Sequence, residues 1–481
     1  MKQCLQENQI IIPSYLHYGG FSGFQDYGIV GFMIKQKFLK LWRNHFLFNE
    51  DNIEEIETPT IMSYDILKAS GHIDKFDDLV VTDKTGKCYR ADHLIKDHMK
   101  EQKLDPSIVD TMNKIEMEDY INTNKLTMDE HFQRNFERIK VEPRNLMFHA
   151  GEEYYLRPEL AQGIFVNFDQ LSSYMKNELP FGISQVGKSY RKEVSPQSFI
   201  RMREFTQAEI EYFFDPNNQN HKNFDTVKHL KIPILSSNMQ IKGLPVDTSI
   251  DLETCVKNGL ICNQILAYFL GRIYLFADQI GLDKTKIRFR QHLPQEMAHY
   301  AADCWDMECQ ISGSWIECMG CANRRSFDLE SHKITKLKRN NIEYHSHVIE
   351  PSFGIDRLLL AIFDHNFKMR KDDNKRTVLS LPYKLCPYEV AIFQLSNKEE
   401  LISILHQVKA SLKNSGFKCY TDMTSTSIGK KYVRTDRIGI KYAITIDFDT
   451  LKDNTVTIRE RDSTNQIRMQ ISDLKDFFTN K

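Results

Sequence analysis

The stretch that most constrains this chain runs from Ser189 to Glu211 and reads SYRKEVSPQSFIRMREFTQAEIE. Read with a period of two, Arg191 and Glu193 share one face, and a proline-containing turn follows. A second alternating face then carries Arg201, Arg203, Phe205, Gln207, Glu209 and Glu211. The pattern predicts a hairpin, and two interpretations of its function remain open. It suits a solvated sheet with cross-strand ion pairs, or the floor of a pocket for a ligand that is part anion, part cation and part flat ring.

Length and composition limit the class of protein. The chain has 481 residues, which predicts two or three domains. Its formal net charge of −1 means that any polyanion it binds must meet a local basic patch. No apolar run approaches the roughly 18–20 residues of a membrane span, and the N-terminal sequence has no signal-peptide core. Ten cysteines are scattered without a disulfide framework. These features predict a cytoplasmic protein without a membrane partner.

Patterns along the chain predict two domains. Residues from about 93 to 145 are polar and mostly helical and form a predicted insertion. A well-buried helix is predicted over Gly259–Leu282. The charge run at 368–376, KMRKDDNKR, is the predicted linker, and alternating strand and helix patterns after it indicate a compact α/β domain. The predicted domains therefore span residues 1–375 and 376–481.

The letters GISQVGKS at Gly182–Ser189 satisfy the phosphate-binding pattern G-x-x-x-x-G-K-[ST]. That pattern needs a strand before it and a helix after it, so that the helix N-terminus faces the phosphates. Here Pro180 lies just upstream, the chain turns back soon after, and Ile183 and Val186 give the stretch a strand pattern. We interpret the match as coincidence.

Four cysteines offer thiolates for a zinc site and end in a C-x-x-C pair: Cys304, Cys309, Cys318 and Cys321. Structural zinc needs four ligands that converge from loops or a ribbon. Trp315 and its apolar neighbours instead give the segment the pattern of a buried strand. The alternative interpretation is small buried thiols, and we predict no structural zinc.

Motifs in sequential order resemble those of one enzyme class. Pro59, the hairpin YRKE…RMREF and the helix-opening GIDR resemble the three signature motifs of class II aminoacyl-tRNA synthetases. Six segments together resemble the homodimeric, eukaryote-like glycyl-tRNA synthetases: GGFSGFQDYG, SGHIDKFDDLVV, YRADHL, YLRPELAQGIF, REFTQAEIEYF and EPSFGIDR. The similarity covers nearly the whole chain, including SIGKKYVRTDRIG and ITIDFDTLKDNTVTIRERD near its C-terminus.

The resemblance implies an α+β fold: a class II antiparallel sheet, flanked by helices, that holds ATP, followed by a C-terminal α/β anticodon-binding domain. Arg191 and Arg357 are the implied catalytic residues, with Arg191 at the α-phosphate and Arg357 sandwiching the adenine with Phe205. Arg201 is implied at the β- and γ-phosphates, and Glu193 at the adenine amine. The whole implied ATP site is Arg191, Lys192, Glu193, Arg201, Met202, Phe205, Glu317, Cys318 and Arg357, with Glu317 as ligand of Mg²⁺.

The resemblance also implies a pocket for glycine. Because glycine has no side chain, its ammonium group is the main feature to recognise, and several converging carboxylates suit that need. The implied glycine-binding residues are Glu159, Glu209, Arg324, Glu350, Pro351 and Ser352. Larger amino acids are excluded by bulk alone, so we predict no editing domain.

The C-terminal domain carries a basic pattern. Lysines and arginines stand at i, i+4, i+7 and i+11, which is one helical stripe provided that the helix continues through Gly439: Lys430, Arg434, Arg437 and Lys441. Taken alone, such a stripe is typical of a solvated face. The resemblance implies tRNA binding by four residues, Lys430, Lys431, Arg434 and Arg437. Tyr432 and Tyr442 are candidates for stacking on anticodon bases.

These observations predict a ligase that activates glycine with ATP to glycyl-adenylate and transfers it to the 3′ end of tRNA(Gly). The resemblance implies a homodimer that assembles through the segment around Pro59. The alternative is a non-catalytic nucleic-acid-binding protein on the same fold, which would have lost its arginines and pocket acids. The enzyme is favoured because the chain retains Arg191, Arg201, Arg357, Glu159, Glu209 and Glu350.

Overall fold

The computed structural model describes residues 1–83, 86–105, 108–109, 112–126, 138–297, 301–339, 342–370 and 373–481. Eight strands form its largest sheet, numbered here along the chain: Ile53–Glu55 (β1), Phe181–Tyr190 (β2), Glu204–Phe214 (β3), Ile234–Leu235 (β4), Ile287–Gln291 (β5), Asp303–Ile311 (β6), Ser314–Arg325 (β7) and His347–Gly354 (β8). They pair in the order β4-β5-β6-β7-β8-β3-β2-β1. The central pairings are antiparallel, and the pairing at each edge is parallel. The predicted α+β class with an antiparallel sheet is confirmed.

Three long helices pack on one side of this sheet: Ile29–Phe46 (α1), Gln264–Gln279 (α2) and Ile355–Asn366 (α3). Even-numbered residues of β3, such as Ala208 and Tyr212, are buried in the same hydrophobic core as these helices. Because side chains alternate along a strand, the odd-numbered residues, including Glu209 and Glu211, lie on the opposite face. That face carries the candidate site.

The predicted helix over 259–282 is shorter than expected. It begins at Gln264, because the Asn263 side chain accepts a hydrogen bond from the Leu266 N–H at 2.8 Å and caps the helix. The chain before it forms a separate helix, Leu252–Lys257, followed by a turn.

The stretch Gly182–Ser189 lies inside β2, which confirms that it is a strand rather than a phosphate-binding loop. Close packing explains why position 187 of this strand is a glycine. A Cβ at this position would lie 2.3 Å from the Arg157 guanidinium, which donates to the carbonyls of Lys188 at 2.8 Å and Thr58 at 2.9 Å.

The predicted insertion contains two helices among its described residues, Ala91–Glu101 and Lys114–Thr123. Residues 127–137 lie outside the described part of the chain. The end of the predicted insertion is not helical, because Glu142–Asn145 is a strand paired with Asp77–Thr82.

The predicted linker at 368–376 contains regular structure in its described part, and its place as a domain boundary stays a prediction. Phe367–Arg370 and Asp373–Leu379 pair as two antiparallel strands. The reason lies in the partners of Arg370, whose guanidinium bonds the Asp436 carboxylate at 2.7 Å and the Arg461 carbonyl at 2.6 Å. Arg370 is therefore built into the fold, whereas Lys368 and Arg376 of the same run are exposed.

The C-terminal part contains a second sheet of five strands: Val390–Gln394 (β9), Cys419–Thr421 (β10), Tyr442–Ile446 (β11), Thr455–Glu460 (β12) and Gln466–Gln470 (β13). Their order is β10-β9-β11-β12-β13, with β9 parallel to both of its neighbours. Two helices, Glu399–Asn414 (α4) and Ile428–Arg437 (α5), accompany this sheet. The alternation of strand and helix predicted for this region is confirmed.

Smaller elements complete the described chain. The remaining strands are Ile11–Pro13, Gln25–Tyr27, Ile61–Ser63, Cys88–Arg90, Phe148–His149, Tyr154–Leu156, Leu337–Arg339 and Ile342–Tyr344. The remaining helices are Lys2–Glu7, Tyr64–Ala69, His72–Lys75, Ala161–Phe165, Phe168–Tyr174, Ser237–Ile241, Phe327–Ser331, Thr450–Asp453 and Leu474–Thr479, together with short 3₁₀ turns. None of the helices in the described ranges has the length and apolar character that a membrane crossing requires.

Candidate functional site

One cavity on the open face of the eight-stranded sheet brings Arg191 and Arg357 together. These arginines stand 166 positions apart in sequence (357 − 191). Most of the predicted ATP and glycine residues line the same cavity: Glu159, Arg191, Glu193, Arg201, Met202, Phe205, Glu209, Glu317, Cys318, Glu350, Ser352 and Arg357.

Three predicted residues do not line that cavity. Lys192 lines a neighbouring cavity with Arg203, on the other side of the loop that carries Glu193. Pro351 stands between Glu350 and Ser352 in β8, and strand alternation turns it to the helix side of the sheet. Arg324 is 1% exposed and lies beneath the cavity, where it bonds Glu350.

Arg191 enters the cavity directly after the end of β2. Its Nε donates to the Pro158 carbonyl at 3.3 Å, and its guanidinium lies over the rings of Phe76 and Phe205, 5.2 and 5.3 Å from their centroids. These contacts orient a charge that has no carboxylate partner among the described ion pairs. Phe76 had not been predicted, although it lies in the segment SGHIDKFDDLVV on which the family resemblance rests.

Arg357 opens α3 and is held by two backbone carbonyls. Its Nε donates to Ile200 at 2.7 Å and its Nη1 to Glu317 at 2.8 Å. Phe205 stands at the start of β3 and lines the same cavity. An aromatic ring and a fixed guanidinium plane are suited to enclosing a flat heterocycle.

Arg201 and Glu193 lie together, 3.6 Å apart, on the loop between β2 and β3. Burial raises the pKa of Glu193, and Arg201 and Arg191 oppose that shift. Burial also lowers the pKa of Arg201, and the nearby Arg90 adds to this. Arg90 belongs to the segment YRADHL and had not been assigned a role. Arg90 is already paired with Asp78 and Asp92. Arg201, with its looser 3.6 Å contact to Glu193, is therefore the cation here that suits a phosphate group.

Glu317 has the chemistry of a hard-cation ligand. Its side chain is 56% exposed at the mouth of the cavity, with Oε2 3.7 Å from Arg357 Nη1. Glu308 pairs opposite it on β6, but that carboxylate is held by Arg288. An exposed carboxylate at the edge of a cavity has the oxygen ligands that hard divalent cations prefer.

The acid pocket is the part of this cavity lined by Glu159, Glu209, Glu350 and Ser352, together with the buried Glu211 beside them. Glu209 is its best-held member, since its Oε2 accepts the N–H groups of Leu160 and Ala161 at 2.8 Å each. Its Oε1 accepts from Gln207 at 2.9 Å and from Ser352 at 3.2 Å. Burial, with the charges of Glu350 and Glu159, still raises the pKa of Glu209 to about 8.

Arg324 is shared among three carboxylates, those of Glu159 and Glu350 in this pocket and that of the buried Asp328. It bonds Glu350 at 2.7 Å and Asp328 at 2.7 and 2.9 Å, and it lies 3.7 Å from Glu159. Burial alone would raise the pKa of Glu159, but His72 and Arg324 outweigh it and hold that pKa below its usual range. Arg324 thus neutralises part of the negative charge and leaves the rest for a cation.

Glu211 was overlooked, although it lies on the face that the hairpin pattern identified. It is completely buried, and neither of its carboxylate oxygens has a hydrogen-bond partner among the described residues. Its oxygens lie within 4.8 Å of those of Glu209 and Glu350. Burial, followed by the charge of Glu350, raises the pKa of Glu211 well above its ordinary value. This shift favours the neutral form of the Glu211 carboxyl group.

The four cysteines considered for zinc are spread over β6 and β7. Cys309, Cys318 and Cys321 are buried. Cys304 lies near His292 and Asp306 rather than near three thiols, and His292 bonds Asp306 at 2.7 Å. The arrangement agrees with buried thiols in paired strands, and the absence of structural zinc stays a prediction.

The predicted tRNA-binding residues differ in how exposed their side chains are. Lys430 and Arg434 are exposed on α5, although Arg434 bonds Asp422. Lys431 is 2% exposed with its ammonium 6.0 Å from the Phe393 ring centroid, so it is not available at the surface. Arg437 is half-buried at the end of the helix.

The predicted stripe also ends early. Helix α5 stops at Arg437, and Gly439 adopts the left-handed conformation with φ +82°. Lys441 is therefore not on the helix. Tyr442 is buried, and the Tyr432 hydroxyl pairs with Thr445 at 2.6 Å, so neither ring is free to stack on a base.

Two regions match family models. Residues 140–366 match the tRNA synthetase class II core domain (G, H, P, S and T), and residues 389–481 match the anticodon binding domain.

Relatives match over almost the entire chain. Glycine--tRNA ligase 2 of Saccharomyces cerevisiae is 35% identical over 98% of this chain and 94% of the relative. Glycine--tRNA ligase of Methanococcus vannielii is 34% identical over 97% of this chain and 96% of the relative. A similar fold occurs in the crystal structure of prolyl-tRNA synthetase from Cryptosporidium parvum complexed with L-proline and AMP. Its TM-score is 0.60 at 13% identity, covering 100% of this chain and 74% of the other.

Proposed function

The chain belongs to the glycine--tRNA ligase family of class II aminoacyl-tRNA synthetases, and we propose that the cavity described above is where it activates glycine. The observation that carries the assignment is the convergence of Arg191 and Arg357 on one cavity that includes the acid pocket. ATP occupies the arginine-lined end, and glycine occupies the acid pocket. The glycyl-adenylate formed there is the donor for the 3′ end of tRNA(Gly).

The nucleotide end supplies fixed positive charge. The glycine carboxylate attacks the α-phosphorus in line, and pyrophosphate leaves. Arg191 binds the α-phosphate and Arg201 the β- and γ-phosphates, where negative charge grows in the transition state. Phe205 and Arg357 enclose the adenine, and Glu193 accepts from its amine. The step requires no protein nucleophile, because orientation and charge stabilisation suffice.

Class II synthetases use ATP with a divalent metal, and we propose Mg²⁺ at Glu317. The ion would neutralise phosphate charge during attack. The support is the exposed carboxylate at the mouth of the cavity.

The glycine end supplies a cluster of carboxyl groups. The ammonium group binds among Glu159, Glu209 and Glu350, with Ser352 nearby. Arg324 limits their mutual repulsion and has no contact with substrate in this proposal. Side chains larger than hydrogen are excluded by the carboxylates packed around the α-carbon.

The C-terminal domain would bind the anticodon arm through exposed cations. Lys430 and Arg434 on α5 are the proposed phosphate contacts, with Arg437 at the end of the helix. Lys431 is excluded from this surface by its burial.

We further propose a cytoplasmic homodimer. Strand β1 lies at the edge of the large sheet, just before Pro59. Large apolar side chains that flank it in sequence are exposed in the single chain, namely Phe48, Ile61 and Tyr64. Such a concentration of exposed apolar side chains is typical of a subunit interface.

ATP–pyrophosphate exchange across a panel of amino acids tests the assignment. We expect exchange with glycine and none with alanine or serine. Exchange that depends on another amino acid would overturn the specificity, and a complete lack of exchange would favour the non-catalytic binding protein.

A binding measurement tests the pocket separately. A non-hydrolysable glycyl-adenylate analogue should raise the melting temperature of the wild-type chain. The shift should be lost in Glu159→Ala, whose carboxylate faces the pocket, and kept in Glu178→Ala, whose side chain lines a different cavity.

A further inference from the structure

We propose that Lys35 is a positioning residue for the nucleotide, which fixes the two walls of the adenine slot by joining Thr206 to Asp356. The inference rests on the proposed function, because it takes Phe205 and Arg357 as those walls. It concerns a helix far from the cavity-lining strands in sequence. Lys35 itself does not line the cavity.

A hydrogen bond joins the residues next to the two walls, Phe205 and Arg357. Thr206 follows Phe205, and Asp356 precedes Arg357. The Thr206 N–H donates to Asp356 Oδ2 at 2.6 Å. This hydrogen bond ties the start of β3 to the start of α3, so the separation of the ring and the guanidinium depends on it.

Lys35 holds both partners of that bond. Its ammonium donates to Thr206 Oγ1 at 2.5 Å and lies 3.4 Å from Asp356 Oδ1. Lys35 is 7% exposed and Asp356 is 2% exposed. Burial lowers the pKa of Lys35, and Asp356 opposes that shift. A buried cation in contact with a buried carboxylate stabilises one geometry, and removal of either partner leaves an uncompensated charge.

Tyr27 completes the arrangement from the same N-terminal segment. Its hydroxyl donates to Asp356 Oδ1, and its ring lies under the Lys35 ammonium at 4.5 Å. The ring also contacts Phe199 edge-on, with centroids 5.4 Å apart. Phe199 lines the cavity on the loop that carries Arg201. The N-terminal segment therefore supports the slot on both sides.

The position of α1 is itself fixed by close packing. A Cβ on Gly28 would lie 2.5 Å from the Gln9 carbonyl oxygen, and one on Gly31 would lie 1.9 Å from that of Ile10. The Val30 N–H donates to the Gln9 carbonyl at 3.0 Å. The helix cannot slide along its axis without breaking these contacts. The position of Lys35 relative to Thr206 and Asp356 is therefore fixed.

The test is the kinetics of glycine-dependent ATP–pyrophosphate exchange in the full chain. In Lys35→Met we expect KM for ATP to rise about tenfold or more, which corresponds to about 1.4 kcal/mol of lost binding. KM for glycine should stay within about twofold, because the acid pocket does not touch this bond. Lys40→Met, an exposed lysine on the same helix, is the matched control and should behave as wild type.

Thr206→Val and Thr206→Ser extend the test if Lys35→Met fails to fold. Valine removes the hydroxyl that Lys35 bonds and keeps the backbone N–H, so KM for ATP should rise. Serine keeps the hydroxyl and should restore the wild-type value. An unchanged KM for ATP in both Lys35→Met and Thr206→Val, or equal changes for ATP and glycine, would overturn the inference. Failure of the wild-type chain to exchange with glycine would instead overturn the proposed function.

Discussion

Arg191 and Lys192 are adjacent in sequence but lie in different cavities. Both were assigned to ATP from the resemblance, and the loop after β2 turns one inward and the other away. The guanidinium of Arg191 is already oriented by the Phe76 and Phe205 rings. Its charge is thus fixed before any ligand arrives, which is the condition under which a cation contributes most to catalysis.

Arg191→Ala should slow glycine-dependent exchange severely. Loss of one preorganised charge contact to a developing anion costs on the order of 2.7–4 kcal/mol, or about 10²–10³-fold in rate. Single-turnover formation of adenylate is the measurement. Lys192→Ala should change the rate by less than about threefold. Equal losses in the two variants would show that the assignment of the cavity is wrong.

The pKa of Glu209, raised to about 8, predicts a pH dependence for glycine binding. Below that pH the carboxyl is protonated and binds the ammonium poorly, and above it the carboxylate is formed. KM for glycine should therefore fall as pH rises from 6 toward about 8 and then level, whereas KM for ATP should change little. Glu209→Gln should raise KM for glycine and remove this dependence. A flat KM for wild type across that range would contradict the prediction.

Glu211 predicts a stability effect with a defined sign. Its pKa is higher in the folded protein than in the unfolded chain, so the folded state binds more protons above the ordinary glutamate range. Stability is therefore lost as pH rises, by about 1.4 kcal/mol for each pKa unit of difference that the pH range covers. Glu211→Gln should be more stable than wild type at pH 8 and nearly equal at pH 4. Urea unfolding at both pH values measures this, and a larger advantage at pH 4 would refute it.

At the scale of elements, helix α5 shows what spacing can and cannot predict. The 3.6-residue period placed Lys430 and Arg434 on one face correctly, but it did not reveal that Lys431 turns inward over Phe393. It also left open whether the helix passes Gly439, which ends it. Burial of a lysine depends on tertiary neighbours, which a local period does not contain.

Lys430→Ala should weaken tRNA binding, and Lys431→Met should not. Loss of one phosphate contact reduces the slope of log affinity against log salt by about 1. A filter-binding titration with tRNA(Gly) at several salt concentrations measures both. Exchange without tRNA should be unchanged in Lys430→Ala. If Lys431→Met were the variant with the reduced slope, the proposed surface would be wrong.

In the other elements too, local features were predicted from the sequence and long-range contacts were not. Strand alternation predicted the face that holds Phe205 and Glu209, because period two is a local property of the backbone. The charge run at 368–376 looked solvated because the partner of Arg370, Asp436, stands 66 positions later. Lys35 could not be connected to Asp356 from the sequence at all, since 321 positions separate them. The resemblance to family motifs predicted Arg191 and Arg357. The residues that hold them in place could be identified only from the tertiary structure.

At the scale of the whole molecule, the edge strand β1 and its exposed apolar neighbours bear on assembly. Phe48 is 75% exposed in the single chain, near the end of α1. Phe48→Asp should shift the chain from dimer to monomer in sedimentation velocity, because a charge would replace an apolar contact at the proposed interface. Tyr174→Asp is the matched control, since Tyr174 is equally exposed elsewhere. A dimer that survives Phe48→Asp and dissociates with Tyr174→Asp would place the interface on another surface.

The glycines that lock α1 against Gln9 and Ile10 have a practical consequence for shortening this protein. The recognisable core begins at residue 140, yet the ammonium of Lys35 and the hydroxyl of Tyr27 reach into the support of its nucleotide cleft. A recombinant fragment trimmed to the core would keep the side chains that line the cavity. It would lose Lys35, Tyr27 and the Phe76 ring that lies against Arg191. Weak ATP binding in such a minimal enzyme would then reflect the missing N-terminal supports and not a defect of the residues that line the cavity.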